Sequence, residues 1–174
     1  MPLAPDVLAK YHAHTFVETG TYHGRGIAAA RDAGFKVIHS IELDDHRYQM
    51  VSDGYQGSKT VFCHHGDSGV VLPLVIKTLR RPTTFWIDAH MGQKIYNLEN
   101  TPIIKELEAI QSMDRKLVRA VLIDDMPKFS AEAQAVMSDM LRKIDPAVVI
   151  TLEHGMHKNI LRPGFVMAAD FAVP

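Results

Sequence analysis

The sequence predicts an α/β protein: a doubly wound, mostly parallel sheet with helices on both faces. Three observations carry this. Short β-type runs alternate with helix-period segments from one end of the chain to the other. The fourth to sixth runs are almost continuously apolar and rich in β-branched or aromatic residues, as strands are when helices cover both faces of their sheet. The 174 residues are 47 % apolar and 22 % charged, the composition of one globular domain.

Seven strands are expected in order, at 15–18, 36–42, 59–64, 83–88, 119–124, 147–152 and, more weakly, 165–169. The segments between them have the helical period. Ala133, Val136, Met137, Met140, Leu141 and Ile144 share one face behind Ser130 as N-cap. Ile103, Ile104, Leu107 and Ile110 do the same, with Thr101 as cap and Pro102 at the first helical position. A helix over 69–80 must carry Pro73 in its first turn or be kinked by it. Ala28, Ala29 and Ala30 suit a helix packed closely on a sheet. A single domain over 1–174 is expected, with 1–14 as an extension ahead of the first strand. Right-handed crossovers then set the C-terminal strand ends along one edge, where ligands bind.

Composition also excludes classes. With 19 basic against 20 acidic residues the net charge is −1, and there is no basic block, so nucleic-acid binding by bulk electrostatics is not expected. No run of eighteen apolar residues would span a membrane. The N-terminus lacks the basic start and apolar stretch of a signal peptide. Cys63 has no partner for an internal disulfide, which points to reducing cytoplasm.

Each of the first five strands ends in an acid: Glu18; Glu42, followed by Asp44 and Asp45; Asp67, in Gly66-Asp67-Ser68; Asp88; and Asp124 with Asp125. A bland account is available, since polar residues appear where strands leave a core and Asp and Ser cap helices. The first loop goes further. Gly20, Gly24 and Gly26 lie between strand and helix, where glycine lets the backbone turn tightly and approach a ligand. Glu42, 24 residues after Glu18, is placed to accept both hydroxyls of a ribose. The spacing is not Gly-x-Gly-x-x-Gly, which argues against a nicotinamide cofactor.

On these residues the chain resembles the class I S-adenosylmethionine-dependent methyltransferases. Glu18-Thr-Gly-Thr-Tyr-His-Gly-Arg-Gly26 looks like their first motif, Glu42 matches their ribose-binding acid, and Gly66-Asp67-Ser68 matches the acidic turn that contacts the adenine amino group. The resemblance runs from about Thr15 to Phe171. It implies a seven-stranded sheet with an antiparallel last strand, and S-adenosylmethionine held by Glu18, Gly20, Thr21, Gly24, Glu42, Asp67, Ser68 and Asp88.

Asp88, Asp124 and Asp125 end two strands that can be neighbours. Three such carboxylates would raise one another's pKa, and a hard divalent cation, magnesium above all, would relieve the repulsion. The pattern Phe85-Trp-Ile-Asp88-Ala-His-Met with Val121-Leu-Ile-Asp124-Asp125 is similar to the metal site of catechol and macrolide-sugar O-methyltransferases. That likeness implies a metal on Asp88, Asp124 and Asp125 that orients an acceptor hydroxyl. Otherwise Asp88 contacts only cofactor or a helix end, and Asp124 and Asp125 cap a turn.

Asp88 and His90 are the candidates for catalysis. A histidine there can act as general base, as a ligand, or as a solvated loop residue. His154 and His157 share a face if their stretch is a helical turn, and otherwise line the rim. Residues 91–100 form the insertion able to shape a substrate pocket. So lean a chain suggests a small or externally held acceptor, an open site, or a homodimer partner completing the pocket. The expected function is O-methylation of a small-molecule hydroxyl. The rivals are another nucleotide-cofactor enzyme on the same scaffold and a non-catalytic module that binds cofactor or a partner.

Overall fold

The computed structural model describes residues 4–89, 96–157 and 160–171. Its strands are β1 (Thr15–Thr19), β2 (Val37–Glu42), β3 (Val61–His65), β4 (Thr83–Ile87), β5 (Val118–Ile123), β6 (Val149–His157) and β7 (Ile160–Asp170). Its helices are α1 (Pro5–Lys10), α2 (Arg25–Asp32), α3 (Asp45–Ser52), α4 (Ser68–Ile76), α5 (Ile103–Gln111) and α6 (Ala131–Ile144). One sheet holds the strands in the order β3-β2-β1-β4-β5-β7-β6. β1 to β5 pair in parallel, and β7 runs antiparallel to both its neighbours. The expected doubly wound sheet with a reversed last strand is the sheet observed.

Alternate residues of each strand point to opposite faces, and both faces are apolar because both are covered. Val17, Phe85, Ile87, Val121 and Ile123 pack on one side with residues of α4, α5 and α6. Phe16, Ile38, Trp86 and Leu122 pack on the other with residues of α1 and α2. Each large apolar side chain buried this way contributes about 1.5–3 kcal/mol.

Several local expectations are refined. Ser130 does cap α6, its side chain accepting from the Ala133 N–H. Val136, expected on the buried face of that helix, is exposed. Thr101 does not cap α5. Pro102 is the N-cap, and the Thr101 hydroxyl donates back to the Asn97 carbonyl at 3.2 Å. Pro73 lies inside α4, beyond its first turn, where its missing N–H leaves the Gly69 carbonyl without the usual intrahelical donor. β7, expected to be short, has 11 residues because it forms a long hairpin with β6. The stretch holding His154 and His157 is therefore strand and not a helical turn. His154 Nε2 lies 2.9 Å from an Asp6 carboxylate oxygen. The segment ahead of β1 is part of the fold, with Val7, Leu8 and Tyr11 buried. The Tyr11 hydroxyl donates to Glu153 at 2.7 Å.

Candidate functional site

The parallel strands place Glu18, Glu42, Asp67, Asp88 and Asp124 along one edge of the sheet. The strand order turns back on itself between β1 and β4, and in open α/β sheets ligands bind in the crevice at such a point. A cavity of about 1220 Å³ opens there. It is lined by Gly20, Tyr22, Glu42, Asp67, Ser68 and Asp88, from the ends of β1 to β4 and the loops that follow them, and by Tyr96, Leu98, Asp125 and Lys128, from further along the loop after β4 and from the loop after β5. A smaller space of about 100 Å³ lies among Glu18, Gly20, Thr21, Gly26, Trp86 and Asp88.

The first loop is built by close approach. Gly20 has φ +86°, and a Cβ there would stand 2.4 Å from the carbonyl oxygen of Asp88. Gly24 is the N-cap of α2. Glu18 is buried and accepts a hydrogen bond from the Ser40 hydroxyl at 2.6 Å. Ser40 is in turn hydrogen-bonded to Thr21. Burial pushes the Glu18 carboxyl up to about 8, and the charge of Asp88 adds to the shift. Glu42 uses both carboxylate oxygens locally, accepting from the Tyr22 N–H at 2.7 Å and the Asp44 N–H at 2.9 Å. Each oxygen keeps a further lone pair for a ligand hydroxyl. Asp67 caps α4 by accepting from the Gly69 N–H at 2.8 Å, and Asp44 caps α3 through the Arg47 N–H. The bland reading of these two acids is thus true of their local role, while Asp67 also faces the cavity.

β5 leads into Asp124 and Asp125. Asp124 is almost wholly buried and accepts from the Asp125 N–H at 2.7 Å. Burial, with the charges of Asp88 and Asp125, holds its carboxyl well above the usual range. Burial and the charge of Asp125 likewise push Asp88 up to about 6. Asp125 has φ +58°, a left-handed backbone that Asp tolerates better than most residues. Its Oδ2 accepts from Lys128 Nζ at 2.7 Å and from the Tyr96 hydroxyl at 3.2 Å. Lys128 also donates to the Tyr96 oxygen at 3.1 Å.

The three aspartates do come together electrically, but their arrangement does not fit a divalent cation. The Asp125 carboxylate is already paired with the Lys128 ammonium. Among the described residues, no three His, Cys, Asp or Glu side chains are grouped so as to hold a metal ion. His90 lies outside the described residues. Of the insertion at 91–100, Tyr96, Leu98, Glu99 and Asn100 line the cavity.

Two residues in or beside the site escaped the sequence reading. Lys128 sits four residues beyond Asp124, with no motif to mark it. Glu106 did carry a signal, since it falls on the apolar stripe of Ile103, Leu107 and Ile110. It is fully buried, and neither carboxylate oxygen has a hydrogen-bond partner among the described residues. Burial pushes it up to about 7. The hydroxyls of Ser68 and Thr19 are near enough to favour its charged form, though not in hydrogen-bond geometry.

No known family's sequence model matches this chain, and no curated protein matches it in sequence. Solved structures do match in fold. The O-methyltransferase from Bacillus cereus in complex with SAH is 13% identical, with a TM-score of 0.63, over 95% of this chain and 78% of that one. The O-methyltransferase TomG from Streptomyces achromogenes, in complex with SAM, is 16% identical, with a TM-score of 0.60, over 95% and 77%. The methyltransferase domain of bacterial CtHen1-C is 10% identical, with a TM-score of 0.62, over 97% and 95%. At these identities the likeness is one of architecture: the chain has the Rossmann-like fold of the class I methyltransferases.

Proposed function

We propose that this protein is a methyltransferase that moves the methyl group of S-adenosylmethionine to a hydroxyl of a small-molecule acceptor. One observation carries the reading: a single cavity at the switch point joins the Gly20 turn and Glu42 to Asp88, Asp125 and Lys128. It has a cofactor end and an acceptor end.

The cofactor, when bound, supplies an electrophilic methyl group, so the protein has mainly to align and deprotonate the acceptor. Glu42 would receive the ribose hydroxyls on the lone pairs that Tyr22 and Asp44 leave. Asp67 and Ser68 would hold the adenine, and the absence of a side chain at Gly20 would let the backbone approach the ligand closely. Glu18 and Thr21 set the floor of the loop through Ser40. Asp88, standing between the two ends and held at about 6, is ionised near neutral pH and basic enough to take the acceptor's proton on its carboxylate. The magnesium suggested by Asp88, Asp124 and Asp125 finds the right oxygen donors but a competing ammonium on Asp125, so no step is assigned to it.

Calorimetry with S-adenosylmethionine and S-adenosylhomocysteine tests the cofactor end, and a labelled-methyl screen of hydroxyl compounds tests the acceptor end. Binding of both ligands together with transfer is expected. Failure of well-folded protein to bind either ligand overturns the reading. Binding without transfer to any acceptor favours a cofactor-binding module.

A further inference from the structure

We infer that Lys128 is the resident cation of the acceptor pocket: its ammonium fixes Asp125 and Tyr96 and gives its remaining N–H to the acceptor oxygen, so that the pocket works without a divalent metal. The inference rests on the methyltransferase reading and assigns the acceptor end of that site.

An ammonium has three N–H donors and no acceptor. Among the described residues, one goes to Asp125 Oδ2 at 2.7 Å and one to the Tyr96 hydroxyl at 3.1 Å. The third has no partner there, and Lys128 lines the cavity. The arrangement is held from several sides. Tyr96 belongs to the segment after β4, and its N–H donates to the Lys128 carbonyl at 2.9 Å, locking the two loops together. The ammonium also lies 4.8 Å from the centre of the Tyr96 ring. Asp125 is kept in its left-handed conformation with its N–H on Asp124. A lysine tied to two side chains, with 30% of its own side chain exposed, is more fixed than a freely solvated surface lysine.

Its charge state fits the role. Burial alone would lower the pKa of Lys128, but the hydrogen bonds and charges of Asp125 and Tyr96 raise it overall. The ammonium therefore keeps its proton at neutral pH and serves as a fixed positive charge, not as a base. A fixed charge beside a hydroxyl favours the developing alkoxide or phenoxide, which is what a metal would do at this position. The proton leaves to a carboxylate, with Asp88 at the same cavity.

The test has two arms. The first is manganese uptake by wild-type protein with S-adenosylhomocysteine present, followed by the electron paramagnetic resonance of free Mn²⁺. The free signal should stay undiminished. Uptake of one ion per chain that is lost in Asp125→Asn overturns the inference. The second arm is methyl transfer to an acceptor found in the screen. Chelator should leave the rate unchanged, and Lys128→Met should lower kcat/KM by about tenfold to a hundredfold, the loss of one charged hydrogen bond. Lys128→Arg should recover part of the loss. Cofactor affinity should stay within about twofold in both variants, since Lys128 lies at the other end of the cavity. Activity abolished by chelator, or kept by Lys128→Met, overturns the inference. A protein that binds no cofactor fails the methyltransferase reading instead, so the two failures are distinct.

Discussion

Gly26 leaves the space that the Glu18 carboxylate fills: a Cβ at position 26 would stand 1.7 Å from Glu18 Oε2. Gly26 is in the first turn of α2, so that turn sits directly against the buried acid at the end of β1. In an open helix, replacing glycine by alanine gains about 0.5–1 kcal/mol. Here overpacking reverses the sign, and Gly26→Ala should cost about 1–3 kcal/mol. With Glu18→Ala as background, the same change should become neutral or stabilising. Urea denaturation of the four proteins of this cycle measures the coupling.

Glu106 makes stability depend on pH. Its carboxyl is pushed from 4.5 to about 7 by burial in the folded state. The folded state then holds a proton that the unfolded state has released between these values, so this contribution to stability is full below pH 4.5 and is lost as pH rises through 7. Glu106→Gln should remove that fall and stabilise the protein above pH 7, by on the order of 1–3 kcal/mol. Thermal melts of both proteins across pH 5 to 8 (roughly the span that a shifted carboxyl covers) check it.

Cofactor binding should release protons. Glu18 at about 8 is largely protonated near neutrality, and Asp88 at about 6 gains its proton just below it. A sulfonium cation bound beside them favours their ionised forms, so the affinity for S-adenosylmethionine should rise with pH across that range. S-adenosylhomocysteine lacks the sulfonium charge and should show a shallower dependence. Calorimetry in buffers of different ionisation enthalpy counts the protons, and equal slopes for the two ligands would refute the prediction.

Asp67 has two roles that substitution can separate. Asp67→Ala removes the cap of α4 and should cost about 0.5–2 kcal/mol of stability. Asp67→Ser keeps a capping oxygen, so its stability should stay near that of the wild type. If Asp67 also contacts the adenine, both variants should bind cofactor more weakly than wild type. Denaturation and calorimetry on the same samples give the comparison.

Glu42→Ala tests the ribose contact. Each charged hydrogen bond to a hydroxyl contributes about 1.5–3 kcal/mol, so affinity for either cofactor form should fall by at least about tenfold. The substitution also strips acceptors from the Tyr22 and Asp44 amides. Glu42→Gln keeps neutral acceptor capacity and should fall between wild type and Glu42→Ala.

What the sequence determined by itself was the succession of elements and the acids at their ends. Period 2 against period 3.6 is written in neighbouring residues, and the Ser130 cap and the turn around Gly20 are likewise local. From parallel strands in that succession, the gathering of Glu18, Glu42, Asp67, Asp88 and Asp124 along one edge follows by handedness. The length of the β6–β7 hairpin was hidden because its outer part, around Glu153 and Gly155, breaks the apolar pattern where the register shifts. Tertiary structure alone decided which polar groups meet. The contact of Gly26 with Glu18, the isolation of Glu106, and the seating of Lys128 between Asp125 and Tyr96 each join residues from different elements or loops. Such contacts depend on packing in three dimensions, which leaves no periodic trace in the chain. A lysine that looks like loop polarity in the sequence is thus seated by the fold between Asp125 and Tyr96, on the wall of the cavity.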